Sequence, residues 1–204
     1  MDLPSVTPED PTWHEKMTSF VNDWVQKGKD KAADLAGKAH QTLQNYTTLR
    51  VKKLTETALL LSKAHTGDLG IDLFCDSIEY NGQIYDNVKI RPTFDKNDIP
   101  PLSPFKIHTG IALGFPTGYG GLILDRSSLG SKGLRTLAGL IDNAYIGEIV
   151  VCAVWTNNFM DFEIKKGDKI AQLVLLPCTN FPLLEVDDLG QTDRGGAGFG
   201  STGK

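Results

Sequence analysis

From Leu59 onward the sequence is a series of short apolar runs, each of strand length and each followed by turn-forming residues. The clearest runs are Ile71–Cys75, Val88–Pro92, Ile107–Phe115, Gly121–Leu124, Ile149–Trp155 and Ala171–Leu176. Turn signals such as Asn81-Gly82 and Gly118-Tyr119-Gly120 lie between them. Many short strands at this spacing predict a mainly β fold of the sandwich or barrel type, without the helices that alternate with parallel strands.

Glycine usage divides the chain into two unlike parts. Only Gly28 and Gly37 fall within the first 65 residues, so 19 of the 21 glycines come later. In the first part apolar residues recur every three or four positions: Trp13, Met17, Phe20, Trp24, Leu35, Ala39 and Leu43. This spacing predicts a helix, with Thr12 and Glu15 as a capping box at its start. We therefore predict a helical extension at residues 1–50, a β domain at 51–192 and a flexible Gly-rich arm at 193–204.

Composition excludes several classes of function. The net charge of -4 gives no general attraction to nucleic acid. The longest apolar run, Ile149–Trp155, is too short to span a membrane, and we expect no secretory signal because no basic-then-apolar leader opens the sequence. The three cysteines, Cys75, Cys152 and Cys178, cannot all pair and lack metal-ligand spacing. They predict free thiols in a reducing compartment, the cytoplasm, or the host cytoplasm for a viral protein.

The C-terminal segment Arg194–Gly203 is the local feature that most strongly indicates ligand binding. Its glycine run contains an Arg, a Phe and hydroxyl residues. Backbone N–H groups of such a loop can bind phosphate oxygens, the guanidinium can pair with them, and the Phe ring can stack on a base. Gly198–Lys204 also matches the start of a Walker A loop, but no Ser or Thr and no helix follow it in this sequence. We therefore reject a P-loop ATPase.

Five segments, taken together and in this order, resemble the five signature motifs of the trimeric dUTP pyrophosphatase (dUTPase) family. The segments are Asp68–Leu73, Asp125–Leu129, Gly139–Glu148, Gly167–Leu173 and Arg194–Gly203. The strongest matches read G-x-I-D-x-x-Y-x-G-E, G-D-K-I-A-Q and R-G-x-x-G-F-G-S-T-G. The resemblance covers residues 51–203, so the first 50 residues inherit nothing from it.

The resemblance implies a β-barrel or jelly-roll homotrimer that hydrolyses dUTP to dUMP and pyrophosphate with Mg²⁺. Such an enzyme limits uracil incorporation into DNA and supplies dUMP. Family members build each site between subunits, and the C-terminal arm of one chain closes over a site built by the others. The implied partners are dUTP and two further copies of the chain, without direct contact to nucleic acid or membrane.

The resemblance also assigns roles to residues. Asp142 matches the acid that activates the attacking water, and Asp72 matches the acid that holds magnesium through water. The residues that match phosphate contacts are Arg126, Ser127, Ser128, Gln172, Arg194, Gly198, Gly200 and Ser201. Uracil would be read by backbone groups of a hairpin at residues 137–142, at Gly139, Leu140 and Ile141. Tyr145 matches the ring under the deoxyribose, and Phe199 matches the ring that stacks on uracil.

Two positions depart from the family pattern, and two alternative functions stay open. Ser128 stands where the family usually has glycine, and Thr136 stands where many bacterial members have an Asn that contacts uracil. A dCTP deaminase shares the fold, and the Arg126-Ser127-Ser128 segment resembles that branch, although Tyr145 and the C-terminal motif favour dUTP hydrolysis. The second alternative is a regulatory protein that binds a partner through the helix in residues 1–50. That helix could equally pack on its own domain.

Overall fold

The computed structural model describes residues 12, 15–16, 18–19, 29–92, 98–179, 181–192 and 195–196. Within these ranges the helices with defined bounds are α1 (Lys29–Thr47) and α2 (Ser127–Gly130). The twelve strands are β1 (Arg50–Lys53), β2 (Ile71–Phe74), β3 (Ser77–Tyr80), β4 (Gln83–Tyr85), β5 (Asn87–Ile90), β6 (Phe105–Gly114), β7 (Tyr119–Leu124), β8 (Leu134–Leu137), β9 (Leu140–Ile141), β10 (Glu148–Trp155), β11 (Phe162–Lys165) and β12 (Lys169–Pro177). The predicted mainly β fold is confirmed, and each predicted apolar run overlaps a strand.

The strands form two larger sheets and one short ladder. The first sheet has the order β4-β3-β6-β10-β8, with β1 also paired to β6. The second has the order β2-β12-β7-β9, and β11 pairs with β5. All of the pairings between these strands are antiparallel. This arrangement places β2, β12 and β7 side by side. Gln172 lies on β12, and Arg126, Ser127 and Ser128 follow the end of β7.

Strand β10 shows why these sequences become half-buried strands. Its buried residues are Ile149, Val151, Ala153 and Trp155, and each residue between them is only partly buried. Alternate residues of a strand point to opposite faces, so a period of two puts one set in the core. Trp155 ends the strand with its ring stacked on Phe162, centroid to centroid at 4.2 Å, and its indole N–H donates to the carbonyl of Met160 at 3.2 Å.

Part of the predicted N-terminal extension is helical, since α1 spans Lys29–Thr47. The N–H of Lys16 donates to the carbonyl of Thr12 at 3.0 Å, so a helical turn follows Thr12. In α1, Leu35 and Leu43 are 54% and 63% exposed. The predicted apolar positions Trp13, Met17, Phe20 and Trp24 lie outside the described residues. Among the described helices, none has the length and apolar character needed to cross a bilayer.

One prediction about the chain between β8 and β9 is wrong. The sequence suggested a hairpin at residues 137–142, but β8 pairs with β10 in the first sheet, whereas β9 pairs with β7 in the second. The segment is therefore a crossing between sheets. Ala138 makes the turn with a φ of +50°, in the left-handed region that costs a residue with a Cβ roughly 1 kcal/mol.

A buried carboxylate, Asp76, fastens the start of the β domain to the first sheet. Its two oxygens accept hydrogen bonds from the hydroxyls of Thr57 at 2.6 Å and Thr55 at 2.9 Å, and the Nζ of Lys166 lies 3.8 Å away. Burial raises the pKa of Asp76, but the two hydroxyls and the lysine charge outweigh burial and lower the pKa below its ordinary 3.8. The ionised side chain therefore stabilises the folded protein.

We expect Asp76→Ala to lower the free energy of unfolding at pH 7 by about 2–4 kcal/mol, because the hydroxyls and Lys166 lose a buried partner. Asp76→Asn should cost less at pH 7. Because the pKa is lowered on folding, the contribution of the charge is complete above the unfolded pKa and disappears as pH falls through the folded pKa. Urea unfolding at several pH values should therefore show wild type and Asp76→Asn converging in acid. A gap that widened in acid would contradict this assignment.

Candidate functional site

A polar cavity of about 480 Å³ opens where strands β2, β12 and β7 lie side by side. Gln172 on β12 pairs with Asp72 on β2 and with Leu124 on β7, so residues distant in sequence meet in one row. The lining residues are Ala64, Gly67, Asp68, Leu69, Gly70, Asp72, Arg126, Ser127, Ser128 and Gln172. The structure thus brings together the predicted magnesium-binding acid and four of the predicted phosphate contacts.

Asp72 is held between two cations at the cavity wall. Its Oδ1 accepts from Nε of Arg126 at 2.9 Å, and its Oδ2 lies 2.7 Å from Nζ of Lys169. Burial raises the pKa of Asp72, but the hydrogen bond from Lys169 and the charge of Arg126 outweigh burial, so its pKa lies below 3.8. Asp72 is therefore an anion at neutral pH. Arg126 and Lys169 together exceed the charge of Asp72, and Asp68 adds a second carboxylate to the lining.

A hydrogen bond fixes the side chain of Gln172 in a position that leaves no room for a side chain at residue 70. Its Nε2 donates to the backbone carbonyl of Asp125 at 2.8 Å. A Cβ at Gly70 would lie 2.0 Å from Oε1 of Gln172, so the first motif accommodates the amide only because residue 70 has no side chain. Gly70 and Gln172 thus form one unit, although they belong to two separate sequence motifs.

The Arg126-Ser127-Ser128 segment leaves β7 and enters the single turn of α2. Arg126 is extended at the N-cap, and the backbone N–H of Gly130 returns to its carbonyl at 2.7 Å. Ser127 and Ser128 are exposed and line the cavity. A side chain at 128 in place of the usual glycine is therefore accommodated, and its hydroxyl is available to the same ligand as that of Ser127.

The predicted uracil and water-activating residues lie elsewhere on the subunit. Residues 139–142 and Tyr145 do not line this cavity. Strand β9 pairs with the opposite end of β7, with Ile141 beside Gly121, so Asp142 lies beside Gly120. From Gly120 to Arg126 the strand advances six residues at about 3.3 Å each, or about 20 Å. The predicted site residues of one chain therefore form two separate groups, which we call half-sites.

The loop that carries Asp142 is anchored by its neighbours. The N–H of Tyr145 donates to the carbonyl of Asp142 at 3.1 Å, and Nδ2 of Asn143 donates to the carbonyls of Pro116 and Tyr119. The Tyr145 hydroxyl donates to the carbonyl of Glu148 at 2.9 Å. Asp142 is exposed, so its carboxylate is available to a ligand from outside the subunit.

Close backbone approaches shape the segment that is predicted to recognise the base. A Cβ at Gly139 would lie 2.4 Å from the carbonyl oxygen of Ile123, and the N–H of Ile123 donates to the carbonyl of Gly139 at 2.8 Å. Leu140 is 70% exposed and Ile141 is partly buried. A Cβ at Gly147 would lie 2.6 Å from the hydroxyl oxygen of Tyr145, so this glycine makes room for the tyrosine ring.

The structure adds two residues to which the sequence patterns gave no role. Lys169, in the fourth motif, reaches Asp72, and Asp125, in the second, holds Gln172. The G-D-K and D-R-S letters were visible in the sequence, but the Lys169 contact arises only when β12 pairs with β2, and the Asp125 contact only when β12 pairs with β7. Thr136 also has a contact that its sequence position did not predict. Its hydroxyl donates to Oδ1 of Asp125 at 2.9 Å in the same chain.

The remaining predicted residues lie in the C-terminal segment. Arg194, Gly198, Phe199, Gly200 and Ser201 fall outside the described residues, so their roles stay predictions. Within the described ranges no group of three or more His, Cys, Asp or Glu could hold a metal ion. The protein side chains described here do not form a closed metal cage of that type.

Comparison with known proteins adds independent findings. Residues 96–203 match the family model described as dUTPase. A deoxyuridine 5'-triphosphate nucleotidohydrolase of Hydrogenobaculum sp. is 40% identical over 160 residues, covering 76% of this chain and 97% of that protein. The dUTPase of Staphylococcus bacteriophage 80alpha, solved with dUPNHPP, superimposes with a TM-score of 0.62 at 26% identity, over 78% of this chain and 99% of that one. A phage phi11 dUTPase variant, described as revealing coordination of a structural Mg(II) ion, has a TM-score of 0.56 at 26% identity, over 70% and 99%.

Proposed function

Because the chain belongs to the dUTPase family, we propose that it hydrolyses dUTP to dUMP and pyrophosphate, limiting uracil incorporation into DNA and supplying dUMP. The observation that carries this proposal is the cavity in which Asp72, Arg126, Ser127 and Gln172 meet at the ends of paired strands. A triphosphate needs cations and hydrogen-bond donors. The cavity offers a guanidinium, hydroxyls and an amide, and Lys169 adds charge behind Asp72.

Mg²⁺ fits the donors of this cavity as a substrate-bound ion. Magnesium prefers oxygen ligands, keeps several waters and needs only one or two carboxylates beside substrate phosphates. Asp72 is an ionised carboxylate on the wall, but both of its oxygens already bind cations. A contact through water therefore fits Asp72 better than direct coordination. The metal would supply positive charge to the phosphate oxygens.

The proposed nucleophile is a water aligned and deprotonated by Asp142. Positioning and charge stabilisation dominate phosphoryl transfer, so an exposed carboxylate held by a pinned loop suffices as the base. Leu140 and the backbone of Gly139 and Ile141 would read the edge of uracil. The ring of Tyr145 would lie under the deoxyribose and leave no room for a 2′-hydroxyl.

The separation of the two half-sites supports a homotrimer with composite active sites. The attacked phosphorus must contact both the water at Asp142 and the donors around Arg126, yet these lie about 20 Å apart along β7 in one subunit. Two copies arranged head to tail bring unlike patches together, and a closed ring satisfies every patch. We propose a ring of three, with an extension at 1–50, a catalytic β domain at 51–192 and a closing arm at 193–204. In the arm, Arg194, Gly198, Gly200 and Ser201 would bind phosphates and Phe199 would stack on uracil.

The test is release of pyrophosphate and ammonia measured side by side on dUTP, dTTP, dCTP and UTP, with magnesium and with a chelator. We expect pyrophosphate release from dUTP to be more than about a hundredfold faster than from the other nucleotides. The methyl group of dTTP and the 2′-hydroxyl of UTP would be excluded sterically, and cytosine presents a different hydrogen-bonding edge from uracil. The chelator should lower the rate strongly. Ammonia release from dCTP would instead support the deaminase alternative, and inertness towards dUTP would overturn the proposal.

The proposed partners and compartment follow from the same chemistry. The protein would bind dUTP and its own copies, and neither a nucleic acid nor a membrane is part of the proposal. All three cysteines are free, with Cys75 buried and Cys178 exposed. Burial raises the pKa of Cys75 to about 12, so this thiol is unreactive. Free thiols persist in reducing compartments, so we propose the cytoplasm, that of the host for a viral chain.

A regulatory role accompanying catalysis is the second candidate. The first 95 residues lie outside the matched family model, and Leu35 and Leu43 of α1 are exposed. The phage 80alpha dUTPase structure is described as showing that phage dUTPases control transfer of virulence genes by a proto-oncogenic G protein-like mechanism. Deleting residues 1–48 tests this role. Unchanged turnover with loss of a captured partner protein supports it, whereas dissociation of the trimer would show that the helix is structural.

A further inference from the structure

The carboxylate of Asp125 is bound by strand β8, although Asp125 itself does not line the cavity. Oδ1 accepts from the backbone N–H of Thr136 at 2.7 Å and from its hydroxyl at 2.9 Å. Oδ2 accepts from Nη1 of Arg135 at 2.9 Å. A Cβ at Gly130 would lie 3.1 Å from Cβ of Asp125, so helix α2 packs against the same side chain. Asp125 thus joins β8 and α2 at one point.

The backbone of Asp125 reaches the phosphate-binding residues directly. Its carbonyl accepts from Nε2 of Gln172, and the next residue is Arg126, the N-cap of the turn that carries Ser127 and Ser128. The side chain therefore fixes the point at which β7 ends and the cavity wall begins. Strand β8 pairs with β10 in the first sheet, so this anchor connects the cavity wall to the other sheet.

We propose that Asp125 is a positioning residue that holds Arg126, Ser127 and Gln172 in the geometry that binds the triphosphate, with Arg135 and Thr136 as its supports. The inference rests on the proposed dUTPase function. The predicted base-recognition residues are held separately from the carboxylate of Asp125, by the bond between Gly139 and Ile123 and by the pairing of Leu140 and Ile141 with β7. Loss of the anchor should therefore weaken binding of the phosphate chain much more than binding of the nucleoside part.

The first experiment compares Asp125→Ala with wild type in binding of dUMP and of the non-hydrolysable analogue dUPNHPP, and in steady-state turnover of dUTP. Displacing a contact by about 1 Å can cost about a hundredfold in rate. We expect affinity for dUPNHPP to fall at least about tenfold and affinity for dUMP by less than about threefold, with a raised KM for dUTP. A general loss of folding would lower both affinities together, and the melting temperature reports that separately.

A series of milder variants measures how much the hydroxyl of Thr136 and the charge of Asp125 each contribute. Thr136→Val removes one hydroxyl bond and keeps the backbone bond, so its effect should be small. Asp125→Asn keeps an acceptor oxygen for Thr136 and should fall between wild type and Asp125→Ala. Because the two residues act through one contact, Asp125→Ala with Thr136→Val should bind dUPNHPP no more weakly than Asp125→Ala alone. Asp86→Asn, which weakens a surface pair with Lys166, is the matched control and should leave both affinities unchanged.

The outcomes for the anchor and for the function are distinguishable. A wild-type protein that releases no pyrophosphate from dUTP contradicts the proposed function. If wild type is active, three results contradict the positioning role alone. The first is unchanged nucleotide affinity of Asp125→Ala, and the second is an equal loss of affinity for dUMP and dUPNHPP. The third is additivity of the effects of Asp125→Ala and Thr136→Val. Selective loss of dUPNHPP affinity with recovery in Asp125→Asn supports it.

Discussion

Replacing Asp142 with asparagine is expected to lower kcat for dUTP by more than about a hundredfold while leaving affinity for dUPNHPP within a few-fold. A positioned general base contributes about 10²–10⁴ in rate, and an amide cannot accept the proton of the attacking water. The fold should survive because Asp142 is exposed, and the substitution keeps the backbone carbonyl that accepts a hydrogen bond from the N–H of Tyr145. Pyrophosphate release and calorimetric binding measure the two quantities. Turnover close to wild type would remove Asp142 from the role of base.

Mixed trimers extend this prediction to the origin of each half-site. In a ring, each site takes its Asp142 loop from one subunit and its Arg126 wall from the next. Subunits with Asp142→Asn and subunits with Arg126→Gln should each form inactive trimers. After equal mixing, about three quarters of randomly assembled trimers are mixed, and one of the three sites in each mixed trimer combines two intact halves. Activity should therefore recover to about a quarter of wild type. If both halves came from one subunit, mixing would restore nothing. Asp86→Asn serves as the charge-matched control in both experiments.

The strand pattern was predictable because it depends on local residue spacing. In β10, Ile149, Val151, Ala153 and Trp155 alternate with less buried residues, which is the period of a half-buried strand. The hairpin that the resemblance implied at residues 137–142 was wrong because β8 and β9 pair with strands of different sheets. Which partner each strand takes depends on the packing of distant β7 and β10, and that information is not local.

The candidate site was predictable as a set of residues but not as a set of contacts. Asp72, Arg126 and Gln172 were chosen as site residues because their motifs resemble those of the dUTPase family. All three line the same cavity. The ion pair of Lys169 with Asp72 depends on the register between β12 and β2. The distance between Arg126 and Asp142 depends on β9 pairing with the far end of β7. Sequence order gives neither quantity, because both are set by sheet pairing.

Removing the C-terminal arm after Asp193 is the second change for which we expect a large effect. The arm contains Arg194, and its glycines can supply backbone donors to the phosphates; an arginine delivered to a transferring phosphoryl group is worth about 10³–10⁵ in rate. We therefore expect kcat/KM for dUTP to fall at least about a thousandfold, as measured by pyrophosphate release. Binding of dUPNHPP should weaken, since Phe199 would no longer stack on the base.

The proposed trimer should survive this truncation because β12, the last strand of the described residues, ends at Pro177, before the deleted segment. Size-exclusion chromatography with light scattering checks the mass. Arg194→Ala in the full-length chain is the matched control: it removes the guanidinium and keeps the glycines and Phe199, so its loss separates the charge from the closing segment. If truncation lowers turnover much further than Arg194→Ala does, exclusion of water and base stacking contribute beyond the cation. A truncated chain with full activity would show that catalysis does not need the C-terminal arm. The residues around Asp72 and Asp142 would then be sufficient for turnover.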